Sequence, residues 1–380
     1  MTAPSLLRPE QFAATARLTV TCSHDRAEAA AADADWDRLY RESASTNPFL
    51  HPAWARAAAG QAAEPWHIRV HDAGALVAVA ALELATVFPG TRVLRVAGAH
   101  RYSALLELPS LLVHPRYVRS ATRAIVEYLM SRAGRWSWAQ LPLSEHTAWF
   151  EPDWLPGGTG LVTERLVRAE VILALGDCAR LRSRNLRESV RRSRNRLTRD
   201  FGAQWSIVRI TDPVRLPSSV DNLIRLHHER SVLTGRKGHP DRLAVPALRA
   251  YLDQVAGMQQ AGGPVLSCYE LHAGGDVIAQ LLALHAPAAT YCGPSGFGAA
   301  AWPYSPTTML QWQACEDARG EGCRSFSLST GPDRAKLRWS SDVRIHPEFA
   351  VVAPRRGARI AYACYAQAAA ASRLHRQFRG

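Results

Sequence analysis

His67-Ile-Arg-Val-His-Asp-Ala-Gly-Ala-Leu-Val-Ala78 and Ser267-Cys-Tyr-Glu-Leu-His-Ala-Gly-Gly-Asp-Val-Ile-Ala279 are two versions of one pattern. Each alternates toward a strand, reaches a tight turn built on Ala-Gly or Gly-Gly, and returns as an apolar strand with Ala early in it. Glycine at such a turn supplies the positive φ that a two-residue hairpin requires. After both hairpins the same order of elements follows: more strand, a long helix, and another strand. That repetition predicts two copies of one α/β unit with a mixed sheet (an α+β arrangement). The first copy spans 19–165 and the second 166–353. A loose arm, 1–18, precedes them, and an Arg/Ala-rich helix, 354–380, follows.

The surrounding spacing fills in the units. Asp33 to Glu42, Pro52 to Ala63 and Pro115 to Ala133 have helical periodicity, the last with Val118, Thr122, Ile125, Val126 and Leu129 on one stripe. Leu105 to Val113 reads as strand, and so does Leu161 to Leu175 after the Pro/Gly-rich break from Pro152 to Gly160. In the second unit Pro213 to Thr234, Pro246 to Gln260 and Pro306 to Gly320 read as helices. Ser325 to Leu328 and Ile345 to Val352 read as strands.

The chain has 380 residues and a formal net charge of +13. Of its 46 basic residues all but Lys237 and Lys336 are arginine. A GC-rich source gives such a bias without functional cause. Two consequences survive it. The basic surface is a guanidinium surface, suited to bidentate capture of carboxylate or phosphate. A position that is still lysine is one where an ammonium is worth examining. The 47% hydrophobic content excludes global disorder. The first twenty residues lack an apolar core and carry Arg8, Glu10 and Arg17, so they do not read as a signal peptide. The longest stretch without formal charge, Val277 to Cys315, is broken by Gly, Pro, Gln and Ser and does not read as a membrane span. Seven cysteines with no C-x-x-C pair and no zinc-ligand spacing predict reduced thiols, no metal, and a cytoplasmic protein.

One helix stands apart. Over 179–200, Leu186, Val190 and Leu197 give a single apolar stripe, and nine arginines, among them Arg184, Arg187, Arg191 and Arg194, cover the rest. A solvated face in an arginine-biased chain, a dock for an acidic carrier protein or anionic membrane, and a tRNA contact are all open readings. Nothing points to DNA.

Four stretches resemble a known family. Asn47-Pro-Phe-Leu-His-Pro-Ala-Trp54, the Arg-rich helix from Leu181 to Leu197, Ser295-Gly-Phe297 through Tyr304-Ser-Pro306, and Leu328 to Trp339 with Lys336 three residues before Trp339 look, in order and spacing, like the CelD/BcsL-like acetyltransferase group of the GNAT superfamily. The FemAB aminoacyl transferases are relatives of that group. The likeness runs from about 47 to 352 and implies two tandem GNAT-like domains, the second catalytic. One departure is clear. Ordinary members grip coenzyme A pyrophosphate with Gln/Arg-x-x-Gly-x-Gly/Ala leading directly into a helix. Here Gly293-Pro-Ser-Gly296-Phe-Gly298 has glycine where Gln or Arg is expected, and six further residues precede the helix.

The chemistry implied is acyl transfer, which needs a gripped donor, a polarised carbonyl and a deprotonated acceptor. Ser305 as N-cap and Pro306 at N1 would aim the Thr307 and Thr308 amides at donor phosphates, with Gly296 beside them. The resemblance puts carbonyl polarisation on a backbone N–H within Ala289 to Gly293. Tyr291 and Tyr304 are candidate proton donors, or packed aromatics with a wet hydroxyl. Lys336 could pair with phosphate or with a developing oxyanion. His227 and Asp333 are candidate bases, with helix packing and a lysine partner as their bland alternatives. Lys237 reads as loop surface or lid. The function expected is transfer of an acyl group from acyl-CoA, acetyl-CoA first, or from a carrier thioester to an amine or hydroxyl of a sugar or small metabolite. The alternatives are an aminoacyl transferase drawing on aminoacyl-tRNA, and a GNAT-like binding protein without chemistry.

Overall fold

The computed structural model describes residues 18–62, 64–142, 161–176, 184–233, 240–258 and 264–379. The expected arm up to residue 17, the Pro/Gly-rich break, Lys237, Cys178, Arg180 and Arg182 lie outside them. The first unit contains β1 (Thr19–Ser23), α1 (Arg26–Ala30), α2 (Ala34–Glu42), α3 (Pro52–Ala59), β2 (Pro65–Asp72), β3 (Ala75–Phe88), β4 (Thr91–Val96), β5 (Leu112–Val113), α4 (Val118–Ser131), β6 (Trp138–Pro142) and β7 (Leu161–Ala174). The second contains α5 (Arg184–Phe201), β8 (Trp205–Ile210), α6 (Leu216–Ser231), α7 (Pro246–Gly257), β9 (Leu266–Ala273), β10 (Asp276–Ala286), β11 (Ala289–Phe297), α8 (Pro306–Gly320), β12 (Ser325–Thr330), α9 (Arg334–Leu337) and β13 (Val343–Val352). The helix α10 (Arg356–Arg379) closes the chain.

The two hairpins form as their turns dictate. Ala73 and Gly74 have φ of 47° and 87°, and Gly274 and Gly275 have 63° and 94°. Two consecutive positive φ angles give the primed turn whose twist matches that of the strands. Each hairpin also carries a register shift close to the turn, at Val70/His71 and at Val277/Ala279. Local chemistry starts the helices too. The Asp33 carboxylate accepts from the Asp35 and Trp36 amides and opens α2, which buries Trp36, Leu39 and Tyr40. His51 Nδ1 accepts from the Ala53 amide at the start of α3, where Pro52 lacks a donor to satisfy.

The strands join in one sheet ordered β1-β2-β3-β4-β6-β13-β7-β12-β11-β10-β9-β8, with β5 beside β3. The order is a palindrome about the β13–β7 contact. In each half one antiparallel run ends in a parallel pair, β4 with β6 and β11 with β12. Each half then borrows its last strand from the other: β13 pairs with β6, and β7 pairs with β12. The boundary expected at 165/166 therefore falls inside an exchanged strand. The cores follow the exchange. Ala350, Val351, Val352 and Tyr362 pack with Trp66, Ile125 and Trp138 of the first half, and Val171 and Leu173 pack with Tyr269, Leu310 and Phe326 of the second. A third cluster locks α3 and the segment before β5 (Trp54, Tyr102, Leu105) against α6 and α7 (Leu223, Tyr251). There Tyr102 and Tyr251 stack with centroids 3.7 Å apart, and the Tyr251 hydroxyl donates to the Trp54 carbonyl at 2.8 Å.

Three readings are revised. Leu105 to Val113 is strand only at Leu112–Val113, because its leucines turn into the third cluster instead of alternating across a sheet. Thr19–Ser23 is an edge strand on β2 that the sequence does not announce. Lys336 belongs to the single turn α9, which forms because Asp333 Oδ1 accepts from the Ala335 and Lys336 amides at 2.8 and 2.9 Å.

The core carries an acid-sensitive feature. Burial, reinforced by nearby guanidinium groups, lowers His51 and His67 to about 4 and His285 to about 3 from an ordinary value of 6.5. Below pH 6.5 the unfolded chain takes up protons that these three sites refuse, so stability is full above 6.5 and falls as pH drops toward 4. The loss expected at pH 5 is about 1 to 2 kcal/mol per histidine. Urea midpoints at pH 7 and 5 measure it. His51→Asn, which retains an N-cap acceptor without the titration, is expected to narrow the gap.

Candidate active site

The site lies where β11 and β12 part. Their parallel register holds at Ala289↔Ser325, Thr290↔Phe326 and Tyr291↔Ser327, and no further. Beyond it β11 is bulged: Cys292 still opposes Ala283 of β10 and Ser295 opposes Leu281, but Gly293 and Pro294 between them have no register partner. A bulge kinks its strand and re-aims the local backbone. Between the parted strands opens a cleft of about 780 Å³. Its walls are Cys292 to Ser295, Leu328 to Asp333 with Lys336, Arg338 and Trp339, the first turns of α8 (Thr307, Thr308, Gln311), His227 and Arg230 of α6, Arg242, and Glu107 from the other half.

Each wall has a local cause. The start of α8 is not the expected cap: Ser305 has φ 49° and ψ 53°, left-handed, and its side chain makes no capping bond. Pro306 fixes the first helical turn, so the Thr307 and Thr308 residues still stand at the positive end of a fifteen-residue helix facing the cleft. From α6, His227 Nδ1 lies 3.0 Å from the Ser295 carbonyl, and Nε2 accepts from the Arg242 amide at 3.3 Å. With the ring largely buried, the His227 pKa is pushed down and the imidazole is neutral. Arg230 donates to the Ser295 carbonyl and hydroxyl at 3.2 and 2.9 Å, with its guanidinium 5.1 Å from the Phe297 ring centre. These bonds tie α6 to β11 across a very close approach at Gly296, where a Cβ would meet the His227 nitrogen at 2.3 Å.

The opposite wall centres on Glu107. Its Oε2 accepts from the Thr330 amide at 3.1 Å, from the Thr330 hydroxyl at 2.9 Å, and from the Tyr291 hydroxyl. Lys336 Nζ donates to the Thr330 carbonyl, so lysine and carboxylate meet on one residue. Burial lowers the Lys336 pKa, opposed by Glu107 and Asp333.

The expected residues separate into four groups. Lys336, Asp333, His227, Thr307 and Thr308 line the cleft together. Tyr291 is fully buried behind it, edge-on to Phe49 at 5.1 Å, and burial beside Glu107 holds its proton on. Tyr304 and Ser305 are not among the lining residues. The Tyr304 hydroxyl turns to Asp200 at 3.0 Å and its ring packs on Phe201. The basic residues Arg184, Arg187, Arg191 and Arg194 are exposed on α5 and are not among the lining residues, while Leu186, Val190, Ser193 and Leu197 face the core. Arg191 pairs with Glu188 at 2.7 Å, and Arg196 donates to the Pro303 carbonyl in the segment leading into α8. Sequence reasoning misses Glu107, Arg230, Arg242 and Thr330. Glu107 sits in no motif; only the packing of one half on the other brings it in. Among the described residues no three His, Cys, Asp or Glu side chains group as a metal site requires, and no helix is long and apolar enough to cross a membrane.

Comparison with known proteins agrees with this fold. Residues 184–337 match the family described as acetyltransferase (GNAT) domain. No curated protein matches the chain in sequence. Among solved structures, FemX is 11% identical, covering 85% of this chain and 97% of its own, with a TM-score of 0.59. The C-terminal domain of a putative lysylphosphatidylglycerol synthetase from Agrobacterium fabrum is 12% identical over 90% and 96%, TM-score 0.53. A protein of unknown function from Bacteroides thetaiotaomicron is 12% identical over 84% and 97%, TM-score 0.52. At such identities the likeness is one of fold, and it spans both halves. The acetyltransferase match falls on the half that supplies most of the cleft, and the first half repeats that half's strand order.

Proposed function

We propose that this GNAT-superfamily acyltransferase moves an acyl group from a thioester, an acyl-CoA or carrier-bound donor, to the amine or hydroxyl of a small-molecule acceptor in the β11–β12 cleft. One observation carries the reading: a helix N-terminus, a bulged strand, a half-buried lysine and a carboxylate from the other half converge on one cavity. The α8 amides and positive helix end would hold donor phosphate, as would Arg230 or Arg338. Gly293, the non-proline residue of β11 without a register partner, is the natural source of the N–H that polarises the carbonyl.

For an amine acceptor, nitrogen attacks the thioester carbon, the C–N bond forms and the C–S bond breaks. The nitrogen proton passes to Glu107, whose accepted hydrogen bonds all fall on Oε2 and leave Oε1 for the acceptor. Lys336 gives a proton to the departing thiolate, a step that its lowered pKa favours. His227 we assign to positioning, because backbone groups engage both ring nitrogens; Asp333 we assign to holding α9 and its lysine in place. The reading takes the enzyme to be cytoplasmic.

A second reading keeps the cleft and changes the donor to aminoacyl-tRNA. The exposed arginines of α5 favour it, because that helix touches the segment that feeds α8. Thermal shift separates the two, since a ligand that binds only the native state raises Tm. Acetyl-CoA and longer acyl-CoAs are expected to stabilise the chain, and product follows when an acceptor is supplied. No shift with any CoA species, together with salt-dependent tRNA binding, would transfer the assignment to the second reading, with Arg184, Arg187, Arg191 and Arg194 as the contact surface.

A further inference from the structure

Three cavities abut along the middle of the sheet. The first is the cleft. The second, about 420 Å³, is walled by Ser103, Glu107, Arg168, Ala169, Arg242 and the turn from Thr330 to Pro332. The third, about 200 Å³, includes Arg95, Val96 and Gln140, where β4 and β6 part in the N-terminal half, the counterpart of the cleft itself. Glu107, Arg242 and the Thr330–Pro332 turn belong to both the first and second cavities, and Ser103 and Arg168 to both the second and third.

The middle cavity has an unbalanced charge. Two guanidiniums face it, against one carboxylate, and Oε2 of that carboxylate already accepts from Thr330 and Tyr291. Arg168 donates to the Glu107 carbonyl, a contact that fixes the side chain without neutralising it. Neither Arg168 nor Arg242 forms an ion pair with a described residue. The third cavity differs: Arg95 is paired with Glu83 at 2.8 Å, the Gln140 amide donates to the Tyr365 hydroxyl at 3.2 Å, and Glu348 sets a carboxylate in the wall that holds the shared Arg168. Two guanidiniums without an ion pair to a described residue, on one small cavity, fit an anion bonded in forked geometry.

We infer that the acceptor is an amine bearing a carboxylate or phosphate, whose anionic group lies between Arg168 and Arg242 while its amine reaches Glu107. An uncharged polar remainder would extend into the third cavity. The inference rests on the acyl-transfer reading of the cleft, but its test does not use turnover.

β-Alanine, O-phosphoethanolamine and ethanolamine share a short aminoalkyl chain and differ in the group at its end. Their binding to the full chain is read by ligand-observed NMR and calorimetry, alongside Arg168→Gln, Arg242→Gln and, as a distant surface control, Arg116→Gln. One or both anionic amines are expected to bind, ethanolamine not, and each cavity variant to weaken the anionic probe about tenfold while the control leaves it unchanged. A stronger response to β-alanine assigns a carboxylate, and to O-phosphoethanolamine a phosphate. Arg168 does not line the cleft, so coenzyme A binding should be the same in Arg168→Gln as in the parent. Equal responses to charged and neutral amines, absence of any response included, overturn the inference, and so does unchanged anionic-amine affinity in both cavity variants. If the amines behave as expected and no donor is ever turned over, the acyl-transfer reading fails and the anion site stands.

Discussion

Lys336→Met is expected to lower kcat/KM for the best donor by about 10² to 10³, the loss typical when a preorganised charge at a developing anion is removed. Lys336→Arg should recover little of it. The side chain threads from α9 to the Thr330 carbonyl at the edge of the cleft, and that space fits a compact ammonium. A guanidinium is planar, larger and never gives up its proton near neutrality, so it can neither occupy the same point nor protonate a thiolate. Stability should move the other way. Burial places the folded pKa of Lys336 below that of lysine in the unfolded chain, so between those two values the unfolded state binds more protons and stability rises with pH. At pH 7 the fold therefore carries the cost of a half-buried charge. Lys336→Met, which removes the charge and keeps most of the volume, should have a urea midpoint no lower than the parent. An active Lys336→Arg enzyme would sink the assignment. A large fall in the midpoint of Lys336→Met would instead make the residue a structural partner of Thr330.

The fold was more legible than the site, for a physical reason. Local chemistry specifies a primed turn, a capped helix or an amphipathic stripe, and Ala73-Gly74, Asp33 and Val118 to Leu129 could each be read in place. The exchange of β7 and β13 could not. Side-chain alternation says that Leu161–Ala174 is a strand but not which strand lies beside it. For the same reason the cleft was half visible. Lys336, Asp333, His227, Thr307 and Thr308 belong to the half that carries the family likeness and share its order along the chain. Glu107 lies 184 positions before the Tyr291 hydroxyl it accepts, and only the docking of the two halves joins them. Tyr304 shows the converse: its place in the likeness pointed to the cleft, while its hydroxyl is spent on Asp200 of the basic helix.

Gly296→Ala should cost about 3 kcal/mol or more, at the upper end for overpacking, because both clashing groups are backbone and no rotamer can relieve them. The added Cβ would lie 2.3 Å from the His227 nitrogen and 2.5 Å from the Leu226 carbonyl carbon. Relief requires α6 to move off β11. That movement breaks the Ser295 contacts of His227 and Arg230 and shifts two walls of the cleft together. The prediction bears on what the glycine-spaced run from Gly293 to Gly298 is for. Its likeness to a phosphate-gripping loop suggests glycines that let a ligand approach the backbone. The geometry at Gly296 instead has a helix of the same chain making that approach. A glycine kept for a ligand would, once replaced, leave the free protein as stable as before and weaken donor binding alone. A glycine kept for helix packing would, once replaced, lower the urea midpoint with no ligand present, and donor binding would fail as a consequence. Gly293→Ala serves as the internal comparison: its Cβ would lie 3.1 Å from the Leu282 carbonyl oxygen, a contact that a shift of a few tenths of an ångström relieves, so its midpoint should stay much nearer the parent. Equal midpoints for the parent and Gly296→Ala would return Gly296 to the ligand.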